Sequence, residues 1–174
     1  MSASSLVVEW SWLHGERDAN RSDEEVSKIL RKIASDAGYL EGEISVAIVD
    51  DQKMQQLNAC HLQHHYTTDI LSFLLGDGER LDGELIACWD VAKRVAEQEG
   101  WDAHWELMLY LIHGMLHLVG HDDHDPVGLE KMKRSEYHYL NLAGCPIAQL
   151  DGMDRFFVGP DAAATGDESQ EPIR

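Results

Sequence analysis

Cysteine is scarce in this chain. Cys60, Cys88 and Cys145 stand far apart, and no C-x-x-C occurs. A disulfide framework is excluded as the organising principle, and a reduced, cytoplasmic compartment is the expected location. No apolar run approaches the ~18–20 residues that span a bilayer, so no membrane partner is expected. The opening MSASSLVVEWSWLHGERD has neither a basic start nor a long apolar stretch, unlike a secretory or transit leader. Bases are also few: 14 Lys and Arg stand against 32 Asp and Glu, a net charge of −18. Non-specific neutralisation of a phosphate backbone needs clustered Lys and Arg. That class of nucleic-acid binder is disfavoured, and no DNA partner is expected. The acids are uneven, with one dense group between His121 and Asp125 and another, from Asp151 to Glu171, in the tail.

What is present suits one domain: 174 residues with 44% hydrophobic and 26% charged, long enough to build a core unaided. The expected organisation is a single domain over 1–150 and an acidic, disordered tail over 151–174, in which the Phe156-Phe157 pair could dock locally. Residues 6–14 alternate and read as a strand with Leu6, Val8, Trp10 and Trp12 on one face. Ser22 with Glu25 forms a capping box, and Val26, Ile29, Leu30 and Ile33 give the following helix its apolar face. Residues 43–50 predict a second strand. A helix over 51–62 follows, with Met54, Leu57 and Cys60 as its buried positions. Residues 68–75, TDILSFLL, read as a strand whose near-continuous apolar character suits the sheet interior. GELIACW at 83–89 is a fourth strand, after which Asp90 caps a helix. Residues 104–118 form the longest apolar helical pattern, ending at Gly120. Pro126 opens a last helix that stops near Gly144. The order β, α, β, α, β, β, α, α, α predicts an α+β fold with a single four-stranded mixed sheet and about five helices.

The chemistry is concentrated in HGMLHLVGHDDH, residues 113–124. Residues four apart on a helix share a face, so His113 and His117 can offer imidazole nitrogens to one ion. Gly120 lets the chain turn sharply, and a third ligand can return from Asp123 or His124. A lone His-x3-His pair is weak evidence, since one of two such histidines is commonly structural. The full pattern His-x3-His-x2-Gly-x2-Asp has the three-ligand layout of metzincin-type zinc sites, with Asp in the third place. A zinc peptidase carries a Glu general base directly after the first histidine. Here that residue is Gly114, which can neither accept nor give a proton.

HGMLHLVGHDDHD, together with LNACHLQHHYTTDILSF upstream and GELIAC between them, resembles the YbeY-type endoribonucleases of bacterial rRNA maturation. The resemblance spans about residues 40–144. It implies a single-domain, zinc-dependent hydrolase of single-stranded rRNA, acting in 16S rRNA 3′-end processing and ribosome quality control. One Zn²⁺ per chain, a ribosomal subunit or ribosomal protein as partner, and His113 and His117 as metal-holding catalytic residues are implied with it. The sequence departs from the family at two places. The third-ligand position falls on Asp123 in a gapless alignment and on His124 after a one-residue insertion, the other residue then supporting from behind. The place of the family's phosphate-holding arginine is taken by Leu62.

Other residues have two readings each. His61, His64 and His65 are either solvated histidines at a helix end or, with Ser72, a substrate-contacting rim. Asp69 either orients a ligand histidine through its free ring N–H or is a strand-start turn acid. His121 is either exposed or an outer group of the site. Most tryptophans fall on apolar faces and read as core. Two competing functions are a zinc metallopeptidase-like hydrolase and a non-catalytic, ribosome-associated metal-binding factor. Gly114 argues against the first. Only three good ligands within the motif, which leave a coordination position open, argue against the second.

Overall fold

The computed structural model describes residues 5–61 and 68–146. The elements are β1 (Ser5–Trp12), α1 (Asp23–Asp36), β2 (Glu41–Val49), α2 (Asp51–His61), β3 (Ile70–Leu74), β4 (Leu81–Cys88), α3 (Trp89–Glu99), α4 (Ala103–Leu118) and α5 (Pro126–Leu142). The sheet order is β1-β2-β4-β3. β1, β2 and β4 run parallel, and β3 is antiparallel to β4. This is the α+β fold with one four-stranded mixed sheet expected from the element order.

Local chemistry sets these elements. The capping box at α1 is formed: Ser22 Oγ accepts the Glu25 N–H at 3.3 Å, and Glu25 Oε2 accepts the Ser22 N–H at 2.7 Å. Ile29, Leu30 and Ile33 are buried beneath that helix. The inward face of β1 carries Leu6, Val8, Trp10 and Trp12. Their large rings still need polar partners for the indole N–H groups. Trp10 donates to Ser27 Oγ at 2.9 Å and Trp12 to Asp23 Oδ1 at 3.1 Å, which fastens α1 to the strand.

α4 is buried nearly all round because the sheet, α1, α3 and α5 all lie against it. Its one internal acid, Glu106, is fully buried and accepts the Trp101 indole N–H at 2.7 Å. At Gly114, α4 packs tightly on β3 and β4. A Cβ there would stand 2.6 Å from Ile70 Cδ1 and 3.0 Å from Leu85 Cδ2. A second, smaller cluster of Val49, Met54, Leu71, Ile86 and Cys88 includes the buried side of α2.

Three sequence expectations are corrected. β3 is an edge strand among the described residues, not an interior one. Its apolar run is explained by cover on both faces, with Ile70 under α4 and Leu71 and Phe73 in the smaller cluster. Cys60 is exposed, and Asn58 takes the buried position, its Oδ1 accepting from Thr68 Oγ1 at 3.2 Å. Met54 and Asn58 are four apart and share the inward stripe, whereas Cys60 is turned about 200° from Asn58. Asp90 does not cap α3, whose N-cap residue is Cys88. Lying inside the first turn, Asp90 instead accepts the Asp51 N–H that opens α2, at 3.0 Å. The tail and the Phe156-Phe157 pair lie outside the described residues. Among those described, no helix is long and apolar enough to cross a membrane.

Candidate metal centre

The C-terminal end of α4 builds the site. Val119 closes the helix and Gly120 follows at φ +97°, a left-handed conformation that favours glycine. The Gly120 N–H returns to the His117 carbonyl and the His121 N–H to the Leu116 carbonyl, both at 3.0 Å. This paired pattern is a Schellman motif. It reverses the chain so that residues 121–123 lie back over the last turn of α4. Asp125 then caps α5, accepting the Gly128 N–H at 2.8 Å, with Pro126 in the first turn.

His113, His117 and Asp123 are brought together, their candidate ligand atoms within 4.8 Å of one another. The two Nε2 atoms are 3.0 Å apart. Asp123 approaches His117 Nε2 at 3.7 Å through Oδ1 and His113 Nε2 at 3.8 Å through Oδ2. Each ring is aimed from behind. His113 Nδ1 lies 2.6 Å from Glu136 Oε1, and His117 Nδ1 lies 3.0 Å from the His121 carbonyl oxygen. A carbonyl and a carboxylate accept, so both Nδ1 atoms carry hydrogen and both Nε2 lone pairs turn to the same point. Two such lone pairs at this distance repel unless a proton or a cation lies between them. Burial would pull the His113 pKa down, but the hydrogen bond and charge of Glu136 outweigh it, and the net shift is upward.

These donors suit a divalent ion of the zinc type. Ligand bonds of ~2.0–2.1 Å in a tetrahedral arrangement put two nitrogens about 3.3 Å apart. Two neutral imidazoles and a carboxylate also leave a further position open. Two imidazole nitrogens are the wrong donors for a calcium-type oxygen cage.

The remaining sequence candidates fall as follows. His124 lies further out: its side chain is 84% exposed, against 28% for Asp123, and its Nδ1 pairs with Asp122 and stands 3.9 Å from Asp123 Oδ1. His121 contributes its carbonyl rather than its ring. The ring is half-buried, and burial together with Lys131 and His117 lowers its pKa. Asp69 borders the cavity beside His113. Its carboxylate accepts the Ile70 N–H at 2.7 Å, and the position behind His113 Nδ1 belongs to Glu136. Ser72 is half-buried on the β3 face it shares with Ile70, the face that α4 covers. His61 ends α2; its side chain, His64, His65 and Leu62 lie outside the description.

Glu136 is the residue that the motif reading missed. The signal was present in α5: Met132, Glu136, Tyr139 and Leu140 fall at i, i+4, i+7 and i+8 and are all buried. An acid on an otherwise apolar stripe requires a partner, and here the partner is His113.

The family model for Endoribonuclease YbeY matches residues 13–144. The chain belongs to the YbeY family. Curated relatives called Endoribonuclease YbeY agree. The one from Bacteroides thetaiotaomicron is 37% identical over 118 residues, covering 68% of this chain and 86% of the relative. That from Rhodopirellula baltica is 34% identical over 133 residues, covering 75% and 69%. That from Salinibacter ruber is 32% identical over 122 residues, covering 65% and 78%. A solution structure of a Thermotoga maritima protein superposes with a TM-score of 0.58 at 22% identity, covering 79% of this chain and 89% of that one. It shares the fold.

Proposed function

We propose that this protein is a metal-dependent endoribonuclease that cuts single-stranded rRNA during maturation and ribosome quality control, with one Zn²⁺ per chain held by His113, His117 and Asp123. The observation that carries the reading is the pair of imidazoles whose Nδ1 atoms are both engaged from behind, by Glu136 and by the His121 carbonyl. Their Nε2 atoms face one point beside a carboxylate. Membership of the YbeY family supports the choice of RNA as substrate. A divalent ion in this place supplies positive charge to a phosphodiester oxygen as it becomes more negative.

The protein's own groups do the rest. Glu136 fixes the His113 ring and keeps it a good donor. The His121 carbonyl does the same for His117, and the Schellman turn holds Asp123 over both. Gly114 weighs against a peptidase on two counts. It has no proton to exchange, and a larger side chain in its place would press on the Ile70 and Leu85 methyls and force them to shift. The acidic balance of the chain supports weak affinity for naked RNA and delivery by a ribosomal partner. The absence of structural disulfides from this reading agrees with a cytoplasmic location.

The test is metal analysis and cleavage of a single-stranded oligoribonucleotide with wild type, His113→Ala, His117→Ala, Asp123→Ala and His124→Ala. About one zinc per chain is expected. It should be lost, with cleavage, in the first three variants and kept in His124→Ala. Equal metal content in every variant would overturn the ligand assignment. Casein cleavage abolished by His117→Ala would overturn the choice of substrate.

A further inference from the structure

α5 does more than deliver Glu136. Met132 and Glu136 form its inward stripe. Successive helical residues are turned by about 100°, so Lys131 and Lys133 leave the helix on opposite flanks of that stripe. Lys133 enters a cavity of about 200 Å³ together with His113, Asp123 and Glu136. Lys131 enters a second cavity of about 660 Å³ alongside His121, Asp122 and Val127. Asp122 lines the larger cavity and its neighbour Asp123 the smaller. Lys133 therefore shares the cavity of the candidate metal centre, and Lys131 lines the neighbouring cavity beside His121, whose carbonyl holds His117. The larger cavity lies within the ~300–1,000 Å³ range of small-molecule sites, and Val119 and Val127 give it an apolar wall.

The charge pattern makes these lysines distinctive. Arg17, Arg21, Arg31, Arg80, Arg94 and Arg134 each lie against a carboxylate. Among the described residues, Lys131 and Lys133 have no carboxylate within ion-pair distance. A phosphate meeting either ammonium has no existing ion pair to break, whereas at any of those arginines it must displace a carboxylate. On a chain of net charge −18, a polyanion is drawn to the few cations still free to receive it. Lys28, Lys53 and Lys93 are similarly without an ion pair but line neither cavity.

We propose that Lys133 and Lys131 position the RNA strand, each contacting a phosphate on its own side of the scissile bond, with the larger cavity receiving the adjoining nucleotide. This rests on the endoribonuclease reading above. Both are positioning residues, acting on the flanking phosphates and not on the scissile one.

The experiment measures binding of a single-stranded oligoribonucleotide by fluorescence anisotropy across a salt series, with zinc-loaded wild type, Lys131→Ala, Lys133→Ala, the double variant, Lys133→Arg and, as control, Lys93→Ala. KM and kcat for the same RNA and for bis(4-nitrophenyl) phosphate are measured beside it. Each alanine should raise the RNA Kd and KM several-fold at low salt and flatten the log–log salt slope by about 0.7. Metal content should stay level, and the loss on RNA should fall on KM more than on kcat and exceed any loss on the small diester, which has no neighbouring phosphates. Lys133→Arg should retain affinity, and Lys93→Ala should match wild type. A double variant with wild-type RNA affinity and salt slope would overturn the proposal. Wild type that holds zinc yet neither binds nor cuts single-stranded RNA would overturn the endoribonuclease reading, and the proposal with it.

Discussion

Glu136 offers the sharpest test of how the centre is built. Its carboxylate lies 2.6 Å from His113 Nδ1 and is only 12% exposed, so water does not readily replace it. Partners of this kind behind a ligand histidine are worth about 10–100-fold in metal affinity, or roughly 1.4–2.7 kcal/mol. Glu136→Ala removes both the acceptor and the charge and should fall at the upper end. Glu136→Gln keeps an amide oxygen facing the N–H but loses the charge, and should fall near 10-fold. A second effect has the opposite sign. Glu136 raises the His113 pKa, so in wild type a proton competes with the metal at low pH, and the variants relieve that competition. The losses should therefore be largest near pH 8 and shrink towards pH 6. The assay is competition for Zn²⁺ against a chromophoric chelator at both pH values, with Asp69→Asn as the comparison. Asp69 bonds its neighbouring backbone instead and should change little. Unaltered zinc affinity in Glu136→Ala at pH 8, or an Asp69→Asn loss as large, would refute the reasoning.

Three further outcomes follow from the packing. Gly114→Glu should cost on the order of 2–3 kcal/mol in urea unfolding, because its Cβ would meet Ile70 and Leu85, and it should create no peptidase activity; stability equal to wild type would contradict the close contact. In the native protein a thiol reagent at pH 8 should label Cys60 rapidly and spare Cys88 and Cys145. Burial pushes those two thiols up to about 12 and about 11, and mass spectrometry of the labelled peptides decides the point. Burial, and then the 2.9 Å hydrogen bond to Asp36, push Tyr139 up to about 12. A raised folded pKa stabilises fully below the unfolded value of ~10 and loses that contribution as pH rises through the folded one. Tyr139→Phe should therefore be about 1 kcal/mol less stable than wild type at pH 8. The gap should close between pH 10 and 12, and urea midpoints that stay parallel across that range would contradict it.

The sequence alone determined whatever depends on near neighbours in the chain. Repeating apolar positions in Val26, Ile29, Leu30 and Ile33, the Ser22 box and the Gly120 stop are set by steps of three or four residues. So is the placing of His113 and His117 on one side of α4. Tertiary structure decided whatever depends on distant segments meeting. Glu136 reaches His113 from 23 positions away, and the way the reversed loop lies across the helix end brings the Asp123 carboxylate towards both Nε2 atoms. The apolar run of β3 is the same whether a strand is central or at an edge covered on both faces. Asp90 serves α2 instead of α3 because the start of one helix lies beside the start of the other. Sequence periodicity carries the direction of a side chain relative to its own backbone; which partner stands there is set by how the layers pack.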